Sequence, residues 1–344
     1  MPETFNPMKD TIFPINNLNI NITSILKRIV SANIHDEISK GLNNSINLID
    51  EGSSISDCVY ISYDDTRKNA TVTLSSAFCQ LVWLIDDIGL KYIDANTIRL
   101  SCKEFGIDNS GYTKITQYIV NHVSNDSFRA EVESECAKLH IQFNDYINFL
   151  KNTQQLLDYD DLIKQIKNEV ALVRRLRGCN EVFCKEDFSA ININGRYESL
   201  TNSAYCFGIT FVLLHELSHF QLQHNLSEAG SLQEEMDADL SAFWSIYSDL
   251  TGREKFSAIV GILCLLFSLL FLNPNLESDG IHPREDKRIF YIYDQIKDDN
   301  PKFTVLVVYL FEIWAELNNV SDFPSLVDNI DENIKAIREY FESK

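Results

Sequence analysis

Over residues 128–150, apolar side chains recur at Val132, Cys136, Leu139, Phe143 and Ile147, in steps of three and four that line one face of a helix. A second stripe, through Ile22, Ile25, Leu26 and Ile29, predicts a helix within residues 20–41. Residues 160–177 predict another, stopped by Gly178. Two β-rich runs, 58–63 and 70–74, flank the polar turn 64–69 and predict a hairpin. From Ser75 the pattern turns helical through Phe78, Leu81 and Ile85, and Asp86, Asp87 and Gly89 read as its solvated end. Ile191 and Ile193 alternate with asparagines as one more short strand.

Downstream the pattern is helical over 202–223, from 231 onward, over 253–272, from Pro283, and over 301–318 and 324–342. The expected fold class is α+β, predominantly α-helical, with a small β element. Residues 1–180 are expected to form a mostly helical region with a hairpin, suited to recognising a substrate or trigger. Residues 181–344 would form the core that carries the chemistry.

That chemistry centres on HELSH, residues 215–219. Helical residues four apart share a face, so His215 and His219 can turn both imidazoles toward one metal ion, with Glu216 beside them as general base. A third ligand is offered sixteen residues after His219, in EEMDAD. Ser231 and Glu234 form a capping box, which starts a helix with Glu235 and Asp239 on one face. Glu235 is the expected third ligand, and Asp239 the acceptor for the free ring N–H of a liganding histidine. Together they would make a gluzincin-type zinc site within a zincin-like core. His224, His282 and Arg288 are the remaining candidates, for supporting or substrate-side roles.

Composition narrows the partners. The chain has 344 residues, 45% of them hydrophobic, enough for a sizeable core. A formal charge of −20 repels phosphate backbones, so nucleic acid is not an expected partner. Eight scattered cysteines without a CxxC pair suit a reducing compartment, and the N-terminus lacks a signal-peptide pattern, so a cytoplasmic location is expected. Residues 257–272 carry no charge and leave two readings open, a buried core helix or an association with the inner membrane. As a helix they would span roughly 24 Å, short of the ~30 Å hydrocarbon core.

HELSHFQLQH at 215–224, EEMDAD at 234–239 and HPREDKR at 282–288 resemble the peptidases related to the phage-exclusion protein Lit, zinc metallopeptidases near the gluzincins. The resemblance implies His215, His219 and Glu235 as zinc ligands and Glu216 as catalytic acid/base. It further implies an endopeptidase that stays latent until a phage-derived trigger appears and then cuts an intracellular protein, in that family a translation elongation factor. Two alternatives remain at this point. One is a repressor-cleaving regulatory metallopeptidase. The other is a non-catalytic binding protein with a structural zinc site.

Overall fold

The structure, a computed structural model, describes residues 4–5, 15–29, 46–49, 59–63, 70–104, 126–138, 142–144, 159–177, 183–184, 191, 197–221, 232–276 and 282–344. It is predominantly helical. The first half holds β1 (Thr4–Phe5), α1 (Ile15–Ile29), β2 (Ile46–Ile49), β3 (Val59–Tyr63), β4 (Ala70–Ser75), α2 (Ser76–Glu104), α3 (Asp126–Lys138) and α4 (Tyr159–Arg177). The second half holds β5 (Phe183–Cys184), α5 (Glu198–Gln221), α6 (Leu232–Tyr247), α7 (Gly252–Leu272), α8 (Glu285–Asp294), α9 (Pro301–Leu317) and α10 (Ile330–Glu342).

The expected hairpin forms. β3 runs antiparallel to β4, with Val59 opposite Leu74 and Tyr63 opposite Ala70, and β2 pairs in parallel on the other edge of β4. β1 and β5 make a separate antiparallel pair. The strand expected at 191–193 is not seen at Ile191, which lies in a bend, and residues 192–196 fall outside the described set. Of the long helix expected over 128–150, α3 covers the first part and Phe143 and Asn144 are again helical.

The helix expected to end at Asp86, Asp87 and Gly89 runs on to Glu104. Both acids face the core rather than water, at 0% and 2% exposure. The Asp87 carboxylate accepts a hydrogen bond from Thr201 Oγ1 of α5 at 2.9 Å, which compensates its burial. Gly89 lets two neighbours come close, since a Cβ there would lie 2.6 Å from Leu306 Cδ1 and 3.2 Å from Cys264 Sγ.

The chain forms two compact units, one from Met1–Leu90 with Glu169–Lys344, the other from Lys91–Asn168. This division does not follow a boundary at residue 180. Within the first unit, α5 and α7 make the tightest helix contact, at a glycine seam. A Cβ on Gly261 would sit 1.9 Å from the Ala204 carbonyl oxygen, and one on Gly208 would sit 2.8 Å from the Gly261 carbonyl oxygen. Only glycine permits backbones to approach so closely. α7 is the one described helix long and apolar enough to cross a membrane, but 78% of its most apolar window is buried inside the protein.

The far end of this unit is closed by aromatic packing. Phe341 of α10 lies 4.7 Å from Phe311, which stacks at 5.1 Å on Phe290 of α8. Arg338 grips Asp294 through two hydrogen bonds of 3.0 and 2.8 Å while lying over the Phe290 ring. These contacts fix α8, whose N-terminal flank reaches the site.

Candidate metal centre

α5 is apolar almost all round, with Phe207, Ile209, Phe211 and Leu213 buried. Its C-terminal turns therefore carry His215 and His219 inside the protein, 6% and 7% exposed. α6 begins with Glu234 and Glu235 in its first turn and buries Glu235 and Asp239 against α5. His219 meets Glu235, while His215 one turn earlier meets Asp239 one turn later, so the two helices run antiparallel along this seam.

Three ligand atoms converge here. His215 Nε2 lies 3.1 Å from His219 Nε2 and 3.4 Å from Glu235 Oε2, and His219 Nε2 lies 3.2 Å from Glu235 Oε1. The rings meet edge to face, 85° apart, with their centroids 4.7 Å from each other. Zinc bonds of about 2.0–2.1 Å in a tetrahedron place neighbouring ligand atoms about 3.3 Å apart. The observed separations are of that size, with each histidine nearest a different Glu235 oxygen, and these three residues form the one such group among the described residues. Two nitrogens and a carboxylate suit zinc rather than the harder cations, which prefer all-oxygen shells.

The surrounding charges favour this set. His215 Nδ1 lies 2.8 Å from Asp239 Oδ1 in a close but bent contact, which directs its other nitrogen into the triangle. Asp239 is fully buried and takes both Nε and Nη2 of Arg288 at 2.7 Å. Burial opposes its ionisation, yet Arg288 and His215 bring the Asp239 carboxyl down to about 2. Burial likewise opposes charge on His215, but Asp239 and Glu235 outweigh it and raise the imidazole to about 9 without metal. Against the same burial, hydrogen bonds from His215, His219 and His282 hold Glu235 far below the usual carboxylate range.

The other candidates fall as follows. Glu216 follows His215 on α5 and is partly exposed. His282, just before α8, donates from Nδ1 to Glu235 Oε2 at 2.9 Å, while its side chain stays 50% exposed at the rim. Arg288 is buried, with both donors on Asp239. His224 lies outside the described residues.

Two supporting groups have no motif to announce them. Ser218 Oγ, between the histidines, lies 3.1 Å from Ser241 Oγ of α6. Arg284, directly ahead of α8, donates to both Asp286 oxygens at 2.9 Å and to the Phe341 carbonyl at 2.8 Å. Serine at the x positions of HExxH carries no signal by itself, and the partner of Arg284 is 57 residues away.

A family model described as peptidase U49 matches residues 115–307, more than half of the chain and the whole of the site. No curated protein shows a significant match. No solved structure does either. With the matched segment enclosing the helix of His215 and His219, the helix of Glu235 and the flank of His282, the chain belongs to the peptidase U49 family.

Proposed function

We propose that this peptidase is a zinc-dependent endopeptidase with a zincin-like core, in which His215, His219 and Glu235 hold the metal and Glu216 is the catalytic acid/base. The observation that carries the reading is the buried cluster of two imidazole nitrogens and a carboxylate, separated by 3.1, 3.2 and 3.4 Å. A zinc ion bound by three protein ligands supplies Lewis acidity toward a scissile carbonyl and brings the pKa of its water toward about 7.

The chain's own residues do the rest. Glu216 takes the proton of the attacking water and returns it to the leaving amine. His282, with Nδ1 2.9 Å from Glu235 Oε2, would as an imidazolium donate from its other ring nitrogen at the exposed rim to the oxygen that gains charge during attack. Asp239 and Arg288 hold His215 in one tautomer and one orientation. Glu235 remains an anion at any working pH, as a ligand must.

The same three segments that resemble the Lit-related peptidases support a narrower reading, a protease held latent until phage infection, acting on an intracellular protein in anti-phage defence. Comparison of new protein N-termini in bacterial cells expressing the parent chain and Glu216→Gln, with and without phage, tests both levels. A discrete terminus formed only by the parent is expected. Identical termini from a variant that still binds one zinc would remove Glu216 from the mechanism.

A further inference from the structure

The ionic contacts between α5 and α6 described above each join a histidine to a carboxylate. Those contacts change whenever a proton or a metal arrives. Ser218 and Ser241 are different, because their contact is neutral and involves no ligand. Ser218 is 3% exposed and donates back to the Leu214 carbonyl at 2.8 Å. Ser218 Oγ also points its hydroxyl across the seam to Ser241 Oγ at 3.1 Å, so its one proton is shared between that oxygen and the Leu214 carbonyl. Ser218 precedes His219 directly, and Ser241 follows Asp239 by two residues. The pair therefore spans the seam within one turn of the ligand His219 on α5 and of Asp239, the support of His215, on α6.

We infer that Ser218 and Ser241 are positioning residues for the metal centre, which hold α5 and α6 at the ligand spacing before any ion binds. The inference rests on the zinc reading of His215, His219 and Glu235. Metal affinity depends on ligand atoms already lying near their bonded positions. A neutral tie does this at every pH, whereas the His–carboxylate contacts hold the seam only in particular protonation states. The bond from Ser218 to the Leu214 carbonyl already meets the need to satisfy a buried donor, so the contact with Ser241 across the seam is additional.

The test uses the full chain, its Ser218→Ala and Ser241→Ala variants and the double variant, with zinc Kd read by chelator competition at pH 6.5 and pH 8 and metal-free Tm read alongside. Each single variant is expected to raise Kd about tenfold, as loss of a ligand-supporting contact does. The double variant should be no worse than either single one, the factor should be equal at both pH values, and metal-free Tm should be unchanged. Should Ser218→Ala fail to fold, the partly exposed Ser241 carries the test. A parent that binds zinc with variants that bind equally well overturns this inference and leaves the zinc reading standing. So does a loss that multiplies in the double variant or follows a fall in Tm. A parent that binds no zinc overturns both.

Discussion

Arg288 places Nε and Nη2 on the two carboxylate oxygens of Asp239, each at 2.7 Å, and the pair is sealed from water. Because Asp239 also faces His215 Nδ1, a charge on α8 is wired through α6 to a ligand on α5.

Breaking that pair from one side leaves a buried, uncompensated charge. Asp239→Asn is expected to destabilise the metal-free protein by about 3–5 kcal/mol and to weaken zinc binding by about 10–100-fold. Arg288→Lys keeps the charge but loses the two-pronged grip, so it should fall between the parent and Asp239→Asn. Urea unfolding and chelator competition read the two effects. An Asp239→Asn variant with parental zinc affinity would remove Asp239 from the support of His215.

The metal-free protein should have a defined pH window. His215 is raised to about 9 from an ordinary 6.5, so its contribution is fully present below 6.5 and is lost as pH rises through about 9. Asp239 is brought down to about 2 from 3.8, so its contribution is present above 3.8 and lost as pH falls through about 2. Unfolding free energy measured in chelator should therefore decline from pH 6.5 to 9 by an amount that His215→Gln abolishes. Zinc should restore more stability at pH 8.5 than at pH 6, since at pH 6 it must first displace the His215 proton. A decline of equal size in the parent and His215→Gln would contradict this assignment.

Asp86 works in the opposite direction to a stabilising carboxylate. Fully buried, it is raised well above 3.8 by burial, only partly offset by a hydrogen bond with Cys264, and Asp87 adds to the rise. A carboxyl raised on folding costs stability as pH climbs above its unfolded value. Asp86→Asn should match the parent near pH 4 and be more stable by about 1–3 kcal/mol at pH 8. Lower stability of the variant at pH 8 would mean that Asp86 is ionised and paired.

At the glycine seam, Gly261→Ala places a methyl where the Ala204 carbonyl oxygen already lies 1.9 Å away. One helix must shift, at about 1–3 kcal/mol or more. A thermal melt should show a fall of several degrees, and zinc affinity should fall with it. A variant with parental Tm would mean that the two backbones are not in contact in solution.

The legible parts of this protein were those set by local repetition. His215, His219, Glu235 and Asp239 declare themselves by spacings of four on two helices, and their partners lie on those same helices or one beside them. The β3–β4 hairpin was equally plain, because its register follows from one short turn. Asp86 and Asp87 misled because a carboxylate inside an apolar helix is explained only by what faces it. Thr201 lies 114 residues from Asp87, and the close packing at Gly89 comes from Leu306 and Cys264. Arg288 was named for a supporting or substrate-side role without its partner, since Asp239 is 49 residues away. Long-range pairing leaves no periodic trace.

The Gly208–Gly261 contact also decides which part of the site is able to move. At an ordinary helix crossing, side chains rotate to absorb a small displacement, but here backbone meets backbone and no rotamer exists to yield. Metal ligands tolerate displacements of only about 0.2 Å. The two imidazoles thus sit on a fixed jaw, clamped by α7 about two turns before His215. The opposing jaw is α6 and the flank of α8, fastened by side-chain contacts that can let go. A polypeptide therefore meets histidines whose backbone does not yield, and local adjustment to it falls on side chains at the rim such as the half-exposed His282.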